Sequence, residues 1–242
     1  MTTKTIVVLA NSVKNSGRCL AGKEVVWAGG GWQAGGWIRP VASPDGGEVG
    51  VPLMRQALGR EPALLDILEL PLVAAAPQPG QPENWLLARD RAWQACDYFN
   101  FDDLPQLLDR PADLWGTNQR CVEAGFPQRM ARPASLYLVQ PESIALRVWT
   151  EEAVNDEGRS YERHRRRATL RHQGTFYEFD ITDPQLQARY YPQLPAINDP
   201  ALTISLRAPK KTAVCVSLTP AWQGRHYKLA AAFIEPPLET KI

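Results

Sequence analysis

Proline and glycine punctuate this sequence too often for long helices. Twenty-one Pro and 17 Gly are spread along its 242 residues. Proline removes a backbone donor and glycine weakens a helix interior, so the elements between them stay short and strands are favoured. TIVVLA (5–10) reads as a buried strand, RCLAGKEVVW (18–27) as a second with a glycine interruption, and WIRPV (37–41) as a third. The glycine-rich stretch 28–36 serves as connector.

The rest of the chain divides in two. LLDILELPLV (64–73) reads as a strand. Trp85, Leu86, Ala92, Trp93 and Cys96 recur at roughly helical spacing over 85–96, and 102–115 reads as short helical turns cut by Pro105 and Pro111. After a linker-like stretch at 125–134, strands return at 135–141 and 144–152. A hairpin follows over 165–183, turning at Gln173-Gly174, and three more strands finish the chain. The expected fold is mainly β, in two halves meeting near residue 130, with a short helical insertion in the middle and no clear internal repeat.

Hydrophobic residues make up 44% and charged residues 22%, the balance of a soluble globular protein. The first apolar run is five residues long, too short for a signal core, and no run approaches the ~20 residues of a membrane span. A cytoplasmic location without membrane partners is expected. The four cysteines form no C-x-x-C pair and read as reduced thiols.

Net charge is +1, but residues 1–44 carry +4, residues 45–123 carry −7 and residues 124–242 carry +4. Basic ends that met in space would form a face that the total hides; ordinary scatter of surface charge is the competing reading. Two clusters stand out. RSYERHRRRATLR (159–171) holds six Arg and one Glu. On a strand, Arg165, Arg167 and Arg171 share one face while Ala168 and Leu170 pack inward. Residues 201–234 contain no Asp or Glu and interleave Arg207, Lys210, Lys211, Arg225 and Lys228 with Trp222, His226 and Tyr227. Cations beside stackable rings suit a single-stranded nucleic-acid groove; a charge-guarded strand edge is the plainer alternative.

The stretch NSVKNSGRC (11–19) admits three readings. It lacks the phosphate-loop pattern and a following helix, although its backbone amides with Lys14 and Arg18 suit a phosphate. Cys19 beside Arg18 would be a nucleophile only with a base, and the histidines, His164, His172 and His226, all lie in the second half. A polar β-turn is the third reading. His164 and His172 complete no metal shell. Asp102-Asp103 and Glu151-Glu152 read as solvated surface.

Taken in order, IVVLANSVKNSGRCLAG (6–22), WIRPV (37–41), LLDILELPL (64–72), QPENWLL (81–87), DLW (113–115), VSL (216–218) and GRHYKLAAAFI (224–234) resemble a family of prokaryotic proteins. These proteins are described as carrying a dual OB-containing domain, and some are linked to conflict systems. The resemblance implies two OB-like small barrels, over residues 1–130 with the helical insertion at 85–115, and over 135–242. It implies recognition of nucleic acid or a nucleotide-like ligand. With no catalytic constellation in the residues, the expected function is a nucleic-acid-binding module for single-stranded DNA or RNA, without a cofactor and without catalysis of its own. The residues matching its polar positions are Asn11, Ser12, Lys14, Arg18 and Arg39, then Ser217, Tyr227 and Lys228. Trp37 joins them as a stacking ring. The alternatives are a small-nucleotide or modified-base sensor or enzyme built around Lys14, Arg18 and Cys19, and a module that docks to an effector protein through Asp102 and Asp103.

Overall fold

The structure is a computed structural model that describes residues 1–14, 17–116 and 119–237, with Lys14 through its backbone alone. The first sheet is built from β1 (Thr2–Lys14), β2 (Gly17–Ala28), β3 (Gly31–Val41), β4 (Asp66–Ala75), β5 (Asn84–Leu87) and β6 (Gln94–Tyr98), with α1 (Val51–Leu58) between β3 and β4. Its order is β1-β2-β3-β5-β4, closed by β1–β4 pairing, with β6 added to β4. All these pairs are antiparallel except β3–β5. This is a closed five-stranded barrel of OB type.

The second sheet begins after β7 (Cys121–Glu123). Its strands are β8 (Leu136–Val139), β9 (Ser143–Val154), β10 (Ser160–His172), β11 (Thr175–Ile181), β12 (Leu202–Ile204), β13 (Ala213–Leu218) and β14 (Arg225–Ile234), with α2 (Pro184–Tyr190) after β11. The first-strand position is divided at Pro141: β8 pairs β13 and β9 pairs β10. From there the order β10-β11-β14-β13 repeats that of the first barrel, including one parallel pair, β11–β14. Two stretches without recognisable sequence repeat thus share one topology.

Three apolar clusters explain the continuous hydrophobic runs. Ile6, Val8, Leu20, Ile38, Leu68, Leu70 and Leu72 fill the first barrel. Leu146, Val148, Ala168, Leu170, Tyr177, Phe179, Val214 and Val216 fill the second. Between the barrels, Val7, Leu9, Ala21 and Val25 pack on Leu136, Leu138, Ala213, Cys215 and Ile234. β1 and β13 are therefore covered on both faces, and strands so placed read as unbroken apolar runs rather than alternating ones. Gly22 is required where the hairpin is tightest: a Cβ there would stand 2.1 Å from the Val7 carbonyl oxygen, beside the register shift of β1 between Val8 and Ala10.

The Gln173-Gly174 hairpin forms as expected, with φ of 48° and 78°. Two local expectations change. The stretch 28–36 is mostly strand, with its turn confined to Gly29-Gly30. The helix expected at 85–96 is replaced by β5 and β6, because ladder pairing with β3 and β4 outweighs a helical spacing that five apolar residues fit only loosely. Within the insertion expected at 85–115, the helical part is the 3-10 helix Phe101–Leu107, which the Asn100 side chain caps by accepting from the Asp102 amide at 3.0 Å. The acidic middle also holds α1, an element not expected from the sequence.

Candidate nucleic-acid interface

OB barrels present ligands with the outer face of their second and third strands and the adjoining loops. In the first barrel that face looks onto the second barrel. Lys23 on β2 donates to Asp109 Oδ1 at 2.6 Å, and the Trp37 indole on β3 donates to Asp109 Oδ2 at 3.0 Å. Asp109 is itself fixed to β8, its amide donating to the Leu138 carbonyl and its Oδ2 accepting the Leu138 amide. Arg39, only 7% exposed, lies 3.0 Å from Glu83 Oε1 and donates to Ser135 Oγ at 2.8 Å and Ser217 Oγ at 3.2 Å. Ser135 in turn donates to Glu83. A buried guanidinium needs this degree of pairing to offset its lost hydration.

The remaining sequence-selected residues are also engaged. Asn11 is buried and donates to the Pro62 carbonyl at 2.9 Å, and Ser12 is buried beside it. Arg18 pairs with Glu61 at 2.9 Å, and its backbone bridges to Val49. The Lys14 side chain lies outside the described residues. Ser217 and Lys228 stand on neighbouring strands but face opposite ways. Ser217 reaches Arg39, whereas Lys228 is fully buried in the second barrel with its amine 5.2 Å from the Tyr177 ring centroid. Burial pulls the Lys228 amine down to about 8, against Asp113 and Cys121, which favour its charged form. Tyr227 sits near open surface, its ring 6.0 Å from exposed Trp222. Among the described side chains, the structure thus joins Arg39 to Ser217 and does not gather the motif residues into one open site.

The matching face of the second barrel is open. Antiparallel register sets Arg165 opposite Trp149, Arg167 opposite Arg147, and Arg171 opposite Ser143. On the other side of β10, Arg171 stands opposite Phe176 and Arg167 opposite Asp180. The Arg147 and Arg167 guanidiniums lie 5.3 and 5.2 Å from the Trp149 ring centroid, and Arg171 lies 5.8 Å from exposed Phe176. Carboxylates are interleaved: Arg165 donates to Glu151 at 2.7 Å and holds that carboxyl below its usual range. Arg167 reaches Glu178 at 3.4 Å and Arg171 reaches Glu142 at 3.1 Å. These pairs are at the surface and add little stability. Trp222, Arg225 and Tyr227 lie on and beside the loop joining β13 to β14, where OB barrels also contact ligands.

The grouping of Arg165, Arg167 and Arg171 on one face, with Ala168 and Leu170 inward, is as the period of two requires. Arg147 and Trp149 are not among the residues expected from the sequence. Their i, i+2 spacing on a strand was the available signal, but the register that brings Arg167 to the same ring was not.

Among the described residues, no group of three His, Cys, Asp or Glu is placed to hold a metal ion, and no helix is long and apolar enough to cross a membrane. His164 meets the Thr150 hydroxyl, while His172 meets the Pro111 carbonyl and His226 the carbonyls of Thr219 and Ala124.

No curated protein and no solved structure matches the chain. The profile of the family described as "Dual OB-containing domain" matches residues 4–233, nearly the whole length and both barrels. The chain belongs to this dual OB-containing family.

Proposed function

We propose that this protein binds single-stranded nucleic acid along the outer face of β9, β10 and β11 of its second barrel, as a binding module rather than a catalyst. The observation that carries the reading is Trp149 flanked by Arg147 and Arg167, on the strand face that the barrel interface leaves open. Rings take up unstacked bases and guanidiniums hold the phosphates between them, with stacking contributing about 1–3 kcal/mol per base. Phe176 with Arg171 extends the track along β10 and β11, and Trp222 with Tyr227 and Arg225 extends it over the β13–β14 loop. Fold alone would not justify this reading, since OB barrels serve many ends.

The test is fluorescence anisotropy with labelled single-stranded DNA, single-stranded RNA and duplex, at salt between about 50 and 200 mM. Single strands bind better than duplex, and log affinity falls linearly with log salt. The Arg147→Ala/Arg167→Ala double variant shows a shallower salt slope. Absence of binding at low salt, or binding indifferent to this double variant, overturns the proposal.

A further inference from the structure

A second cavity, away from that face, contains polar atoms that the protein leaves unpaired. It measures about 550 Å³ and is lined by Val13 at the end of β1, Arg166 on β10, and Thr182, Pro184, Gln187 and Pro192 around α2. It lies where the barrels meet, since the Val13 amide donates to the Thr182 carbonyl at 2.9 Å.

Arg166 is on the inward side of β10, one residue from the outward Arg165 and Arg167. Its Nε is buried without a hydrogen-bond partner, as are Thr182 Oγ1 and the hydroxyl of fully buried Tyr191, next in sequence to Pro192. Among the described residues no ion pair reaches Arg166. Asp183, the carboxylate lining the same cavity, is committed elsewhere. Its Oδ1 accepts the Gln185 and Leu186 amides at 2.8 and 3.2 Å, and its Oδ2 accepts the Phe233 amide at 2.8 Å. Buried polar groups are nearly always paired, and a guanidinium whose Nε is unpaired, lining one cavity with an unpaired hydroxyl, matches an oxyanion. The volume falls in the range of small-molecule sites.

We propose that this cavity binds a small ligand through a terminal oxyanion, a phosphate monoester or a carboxylate, held by Arg166 and Thr182 at the junction of the two barrels. Val13, Ile181, Pro184, Ala188 and Pro192 give the rest of the ligand an apolar seat.

The experiment is calorimetric titration and thermal shift on the full chain with three probes: mononucleoside 5′-monophosphates, citrate, and the corresponding neutral nucleosides. Saturable binding of the monophosphates but not the nucleosides assigns a phosphate; binding of citrate assigns a carboxylate. Either affinity drops about 10-fold or more in Arg166→Met, the loss of a charge-assisted bond, and a few-fold in Thr182→Val. Without ligand, Arg166→Met melts about as wild type does, because among the described residues Arg166 makes no ion pair or hydrogen bond that the substitution would remove, while its stem packing is kept. Trp149→Ala leaves this binding unchanged while weakening oligonucleotide binding, so the two sites fail separately. No saturable binding of either anion, binding that survives Arg166→Met, or a large fall in the ligand-free melting point of that variant overturns the proposal.

Discussion

The two barrels share a strand order but use the outer face of their second and third strands in different ways. In the first barrel, Lys23, Trp37 and Arg39 occupy that face, and all three are joined to Asp109, Glu83, Ser135 or Ser217 at the junction with the second barrel. In the second, Arg147, Trp149, Arg167 and Phe176 occupy the equivalent face and look outward. Both sets combine cations with rings. Burial separates them: a covered cation must be matched inside the protein, whereas an open one remains available to a phosphate. One barrel has become the base on which the other is mounted.

The comparison can be tested from its covered side first. Arg39→Met leaves Glu83 buried and uncompensated, and should destabilise the fold by about 3–5 kcal/mol in chemical denaturation. The double variant Arg39→Met/Glu83→Gln should recover much of that loss. If Arg39→Met left stability intact and abolished oligonucleotide binding, the covered face would have to be a ligand face after all.

On the open side, Trp149→Ala should weaken single-strand binding by about 1–3 kcal/mol, measured by anisotropy, with the melting temperature little changed. A comparable loss of stability would place Trp149 among the structural residues instead.

The pH dependence probes the second barrel's interior. Lys228 has a folded-state pKa of about 8, below that of the unfolded chain, so between these values the unfolded state binds more protons and rising pH favours folding. Relative to Lys228→Met, wild type should gain about 2 kcal/mol between roughly pH 7 and pH 9.5, with the gain beginning near pH 8. A pH-independent difference would mean that the amine is not desolvated in solution.

The smallest effect should come from the opening motif. Arg18→Ala removes a partly exposed pair with Glu61 and should cost less than about 1 kcal/mol of stability, with oligonucleotide affinity unchanged. A large affinity loss would return the first hairpin to the ligand path.

Legibility in the sequence followed the range of the interactions involved. The run IVVLA gave β1 because both of its faces are apolar. Gln173-Gly174 gave a hairpin because a two-residue turn fixes its own register. The 85–96 stretch misled because its apolar residues suit either period, and pairing with β3 and β4 decided between them. The division of the first-strand position at Pro141 left no repeat to see. At the sites, the outward Arg165, Arg167 and Arg171 were legible from alternation, while the partners of Arg39 were not: Ser135 and Ser217 lie 96 and 178 residues away.

By itself the sequence determined the long apolar strands, the inward and outward sides of β10, and membership of the dual OB family. These depend on local periodicity and on motifs read in order. Only the tertiary structure decided which outward side stays in water. Lys23, Trp37 and Arg39 carry the same residue types as the open face, and only the assembled chain gives them Asp109 from the connector and Glu83 beside β5, with Ser135 and Ser217 of the second barrel closing over Arg39. Burial by a distant surface is a property of the assembled chain, and no local pattern encodes it.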